Sequence, residues 1–118
     1  MESETKEKSI FVEYFGDSPQ IKILDFLIEG TDFDYSMTEV ARGAQVGWSA
    51  FTKVWHQLLE KNIIVSTRTI GNAKLFRLNK ENSAVKKLIK LDWEITKFET
   101  EKLFEKEGYS KKTSLAIH

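Results

Sequence analysis

At Asn62 the hydrophobic period of the chain changes from helical to extended, with no linker between the two regimes. Upstream, Phe51, Val54, Trp55, Leu58 and Leu59 share one arc at about 100° per residue, which predicts a helix from about Trp48 to Lys61 with one buried face. Ser49, Lys53, His56 and Glu60 occupy the opposite arc, with Thr52 and Gln57 on its edges. Downstream, Ile63-Ile64-Val65-Ser66-Thr67-Arg68-Thr69-Ile70 is β-branched and suits a strand. Gly71-Asn72 is a hairpin turn signal, and Ala73-Lys74-Leu75-Phe76-Arg77-Leu78 returns as the second strand. Asn62 itself suits the left-handed conformation in which helices often end.

The elements before the switch are helical. Ser18 can cap a helix that has Pro19 in its first turn, where a missing N–H costs nothing. Ile21, Leu24, Leu27 and Ile28 give that helix one apolar face as far as Gly30. Ser36-Met37-Thr38-Glu39 matches a capping box, followed by a short helix with Met37, Val40, Ala41 and Ala44 on one face. Gln45-Val46-Gly47 is a turn. Ile10–Phe15 is a short apolar element that the pattern fits to neither helix nor strand. The expected organisation is a polar tail over 1–9, a domain over 10–80, a C-terminal helix over 81–107 and a tail over 108–118. The fold class expected is mainly α with a small β-hairpin (α+β).

The formal net charge of zero conceals a segregation. Residues 1–40 carry ten acids and three bases, a net of −7; residues 41–90 carry ten bases and two acids, a net of +8. A basic middle is the footprint of an anion-binding surface. From Lys61 to Lys80 there are five bases and no acid. Asp32 and Asp34 lie in an acid-rich loop and read as solvated. With no cysteine, the chain has neither disulfides nor thiolate metal sites. The start of the chain is polar and acidic, unlike a signal peptide, and no apolar run approaches the ~18 residues of a membrane span. A soluble, cytoplasmic protein is expected. One internal histidine, His56, supports neither a catalytic triad nor a metal site, and the scattered glycines form no phosphate loop, so no enzyme, no cofactor and no small-molecule ligand is expected.

The stretch Met37-Thr38-Glu39-Val40-Ala41-Arg42-Gly43-Ala44-Gln45-Val46-Gly47-Trp48-Ser49-Ala50-Phe51-Thr52-Lys53 resembles the helix-turn-helix of winged-helix transcription regulators of prokaryotic and archaeal type. Leu58-Leu59-Glu60-Lys61-Asn62-Ile63-Ile64 is similar to the way that superfamily leaves its recognition helix and enters the wing, and Phe76-Arg77-Leu78-Asn79 to its exit. The resemblance covers roughly residues 18–92. It implies a winged helix-turn-helix with an extended C-terminal helix, a recognition helix over about 48–61 and a wing over about 63–78. It further implies sequence-specific binding of double-stranded DNA, as a transcription regulator, with the recognition helix in the major groove and the wing on the backbone or in the minor groove. The candidate contacts are Trp48, Ser49, Thr52, Lys53, His56 and Gln57 on the helix, and Arg68, Asn72 and Lys74 on the wing. Trp48 leans toward the core-facing side by wheel angle, so core or edge packing is the competing role.

In the last helix Ala84, Leu88, Leu91, Ile95 and Phe98 form an a/d seam over two heptads, widened by Val85, Ile89 and Trp93. The seam fits a homodimer, in which Ile10–Phe15 would share, and equally fits packing of this helix on the chain's own N-terminal segment. Two other functions stay open: a winged helix that binds protein without DNA, and a DNA-binding factor of replication or maintenance.

Overall fold

A computed structural model describes residues 8–106. The elements are α1 (Ile10–Phe15), α2 (Pro19–Glu29), α3 (Met37–Ala44), α4 (Trp48–Glu60), β1 (Ile64–Ile70), β2 (Ala73–Leu78) and α5 (Ser83–Lys106). The tail over 108–118 expected from the sequence, and residues 1–7 of the N-terminal one, lie outside the described residues.

Side chains set the helix starts. Ser9, Ser18 and Ser36 accept from the backbone N–H of Val12, Ile21 and Glu39, so α1, α2 and α3 each begin on a serine cap. At α3 the box is reciprocal, because Glu39 Oε1 accepts from the Ser36 N–H at 2.9 Å. The undecided segment Ile10–Phe15 is therefore helical, and its Ser9 cap also donates to Asp25 Oδ1 on α2 at 2.8 Å.

Gln45 ends α3 in the left-handed region, at φ 59°, and turns the chain into α4. Gly43 faces the Phe26 ring so closely that any side chain there would collide with it, which is how α3 lies down on α2. Asn62 is left-handed at φ 59°, as its place after α4 predicts. Gly71 alone has a positive φ in the two-residue hairpin loop, 61°, the pattern of a type II′ turn. Tyr35 bridges to Phe76, so the α2–α3 loop forms a third, one-residue rung on the outer side of β2. Three asparagines close the hairpin's base: the Asn62 carbonyl accepts from Asn79 Nδ2 and Asn82 Nδ2, each at 3.0 Å.

The core joins all seven elements. Trp55, Phe51, Ile23, Leu27, Ile64, Leu78, Val40 and Val85 are fully buried within it. At about 1.5–3 kcal/mol for each large side chain withdrawn from water, this cluster outweighs any surface ion pair in the molecule. The seam expected on α5 is only partly buried within the chain. Val85 and Ile95 are buried, and Leu88 and Ile89 pack against the core, whereas Ala84, Leu91 and Phe98 are exposed. Within the chain α5 also meets α1, where Tyr14 Oη donates to Glu99 Oε2.

Candidate nucleic-acid interface

The recognition-helix candidate begins at Gly47, which offers no side-chain cap, and ends at Glu60 with Lys61 beyond it. Phe51, Trp55 and Leu58 anchor its inner face. Its outer face therefore has a fixed roll: Ser49, Lys53, His56 and Gln57 are exposed, and Thr52 is half-buried with its hydroxyl donating to the Ser49 carbonyl. Glu60 is exposed at the far end of the same face. Donors and acceptors thus stand outward on a helix held rigid from behind, the arrangement that reading base edges requires.

Trp48 divides its two rings' faces between roles. One face stacks on Phe51, with centroids 5.3 Å apart and planes 21° apart, while the residue remains 52% exposed. Phe51 in turn stacks on Trp55 at 5.0 Å, and Trp55 meets Phe76 of β2 edge-on at 5.3 Å. A column of four rings runs from the start of α4 to the hairpin. Within it the Trp55 Nε1–H is buried with no hydrogen-bond partner, the sole such side-chain atom among the described residues.

On the hairpin, Asn72 and Lys74 are exposed at and beside the turn. Arg68 is placed differently from Lys74. Its Nε and Nη2 donate to the two carboxylate oxygens of Asp34, at 3.0 and 3.2 Å. Thr67 Oγ1 donates to the same carboxylate at 2.6 Å. The Arg68 guanidinium and then the Thr67 hydroxyl hold the Asp34 carboxyl down at about 2, below its usual 3.8, and Asp34 raises Arg68 in return. Asp32 pairs with Lys80 at 3.5 Å. Of the two loop acids expected to be solvated, Asp32 is, at 85% exposed, whereas Asp34, at 16%, braces the hairpin.

Among the described residues, Arg42, Lys53, Lys61, Lys74 and Arg77 are exposed and carry no ion pair. Arg42, on α3, was not singled out from the sequence. Its signal is visible in retrospect: it follows the buried pair Val40-Ala41 and so must face outward. Arg42 lines a shallow cleft between α3 and the hairpin together with Thr38, Asp34, Arg68 and Leu75. No group of three or more His, Asp or Glu among the described residues could hold a metal ion, and no helix there is long and apolar enough to cross a membrane.

No family model matches the chain, and no curated protein matches it. Among solved structures it is similar to ZitR of Lactococcus lactis. A double mutant of that protein in its apo form superposes with a TM-score of 0.57 at 18% identity, over 90% of this chain and 82% of that one. A second structure of the double mutant gives 0.55 at 18% identity, covering 81% and 67%, and a single mutant gives 0.54 at 19%, covering 81% and 69%. At such identities the likeness speaks for the fold, which is an α+β winged helix-turn-helix with an extended C-terminal helix.

Proposed function

We propose that this chain binds double-stranded DNA sequence-specifically and acts as a transcription regulator. In this reading α4 enters the major groove, about 12 Å wide, and the hairpin tip follows the backbone or the minor groove. The observation that carries it is the outward polar face of α4, with Ser49, Thr52, Lys53, His56 and Gln57, flanked by the unpaired cations Arg42, Lys53, Lys61, Lys74 and Arg77. A module that only bound protein would have no use for so many uncompensated bases on one stretch of chain. Ser49, Thr52, Lys53, His56 and Gln57 read base edges, Trp48 offers its open ring face at the groove's edge, and Asn72 and Lys74 meet the backbone.

The protein acts as a homodimer in this reading. Leu91 and Phe98 stand exposed seven residues apart on one flank of α5, and a two-fold pair joined there would match a palindromic site.

Fluorescence anisotropy with a random-sequence duplex at two salt concentrations tests DNA binding. Affinity that falls steeply with salt is expected, by about 0.9 log units per log unit of salt for each phosphate neutralised. Binding that is absent at low salt, or indifferent to salt, rules the reading out in favour of a protein-binding module. Selection from a random pool then supplies the operator.

A further inference from the structure

Asp34 and Arg68 are 34 residues apart in the chain and form a two-bonded pair, the geometry in which a guanidinium and a carboxylate bind best. A strand normally sends consecutive side chains to opposite faces. Here Thr67 and Arg68 both reach one carboxylate. The register explains it: Ser66 pairs with Phe76 and Arg68 with Leu75, so Thr67 is an extra residue in a bulge that turns both side chains toward Asp34. The Asp34 side chain is only 16% exposed, whereas that of Arg68 is 62% exposed. The carboxylate is the fixed member of the pair, tied by Thr67 and by the neighbouring Tyr35–Phe76 bridge. Asp32 and Lys80, by contrast, are 85% and 46% exposed, and their pair is screened by water.

An arginine in this state already has an oxyanion on its forked face. Its Nη1 donors stay open, but the positive charge behind them is already offset by Asp34, so a DNA phosphate that met Arg68 would gain a hydrogen bond and no net cation. We infer that Asp34 withholds Arg68 from the DNA backbone, so that the hairpin contacts phosphate through Lys74 and Arg77 and the protein's sequence-independent affinity is held down relative to its specific affinity. The inference rests on duplex DNA being the ligand. Phosphate contacts supply non-specific binding and base contacts supply discrimination. A carboxylate that removes one cation from the backbone inventory leaves the α4 contacts untouched and therefore raises specificity.

The test is the salt slope of binding to a random duplex, measured for the wild type, Asp34→Asn, Arg68→Ala and the double variant. Asparagine keeps an acceptor oxygen for Thr67, and circular dichroism confirms folding of each variant. Asp34→Asn is expected to steepen the slope by about 0.9, one further phosphate, so that its affinity falls about three- to fourfold more than the wild type's between 50 and 200 mM salt. Arg68→Ala alone bares the Asp34 carboxylate and is expected to weaken binding, whereas the double variant, with neither charge, is expected to return to the wild-type slope. A double variant whose slope lies one phosphate below the wild type's overturns the inference, because Arg68 would then already neutralise a phosphate beside an intact Asp34. An Asp34→Asn slope equal to or shallower than the wild type's overturns it as well. If no variant and no wild type binds, the DNA reading falls together with the inference; if all bind with the wrong pattern, only the inference falls.

Discussion

Tyr14 Oη donates to Glu99 Oε2 at 2.7 Å, joining α1 to the middle of α5 across 85 residues of sequence. The hydrogen bond to Glu99, with some burial and the carboxylate's charge, raises the Tyr14 phenol above its ordinary value of 10.0. The folded-state value thus exceeds the unfolded one. The stabilisation is complete below the unfolded value and is lost as pH rises through the folded value. Glu99→Gln is expected to lower the Tyr14 transition toward 10.0 in an ultraviolet absorbance titration. An unchanged titration would mean that the pair does not persist in solution.

The unpaired Trp55 Nε1–H makes a second prediction. Trp55→Ala leaves a cavity at the centre of the core and is expected to cost about 3–5 kcal/mol. Trp55→Phe keeps a ring against Phe51 and Phe76 and removes a buried donor whose isolation costs about 1–3 kcal/mol. Its net cost is expected to stay below about 1.5 kcal/mol. Urea denaturation of both variants checks this. Equal losses would show that the indole N–H has a partner in solution.

Gly47 separates stability from binding. It is the N-cap of α4 without a cap hydrogen bond, its φ of −63° suits any residue, and a side chain there would meet open space. Gly47→Asp is expected to raise stability by about 0.5–1 kcal/mol through the cap and the helix dipole. The same carboxylate sits where α4 would enter the groove. DNA affinity is expected to fall about fivefold or more at low salt, the effect of one repulsion of about 1 kcal/mol. A variant that is more stable and binds equally well would place DNA elsewhere.

Asp34 governs the acid limb of the stability curve. Its carboxyl is held at about 2 against 3.8, chiefly by Arg68 and then by Thr67. A depressed folded value means stabilisation that is complete above the unfolded value and lost as pH falls through the folded one. Between pH 4 and 2 the wild type is expected to lose stability that Asp34→Asn lacks at every pH, so the two urea midpoints converge at the acid end. Parallel curves would contradict the pair.

The α5 surface yields a prediction about mass. Leu91 and Phe98 are 41% and 55% exposed and lie on one flank of the helix. Leu91→Glu with Phe98→Glu is expected to change monomer stability by less than about 0.5 kcal/mol per site. It is expected to halve the mass seen by sedimentation equilibrium and to weaken binding to palindromic duplexes. A wild-type chain that sediments as a monomer at high concentration removes the dimer.

What the sequence revealed was local. The Ser36–Glu39 box, the left-handed Asn62 and the Gly71 turn each depend on neighbouring residues, and each is where its pattern placed it. The buried face of α4 was equally legible, because period alone decides it. Ile10–Phe15 was not, since six residues hold too few turns for a period to appear, and Ser9 and α5 settle its conformation. The α5 seam was legible only as spacing. Spacing gives angles around a helix but not which neighbour occupies them, and the core takes the flank with Val85 and Ile95 while Leu91 and Phe98 stay exposed. The bond between Asp34 and Arg68 was hidden as well, because a charge in a loop carries no mark of the strand it will meet.

The three tryptophans stand in three different surroundings. Trp48 lies half in solvent at the start of α4, Trp55 is wholly enclosed, and Trp93 lies out on α5 with the Lys97 ammonium 5.2 Å from its ring. Each therefore reports on a separate region by its own emission. Under the proposed function Trp48 would be quenched on meeting nucleic acid; a red shift of Trp55 follows loss of the core, and Trp93 samples the side of α5 away from Leu91 and Phe98. Three single-tryptophan versions of the chain would let the α4 surface, the core and α5 be followed separately by light alone, with no attached dye.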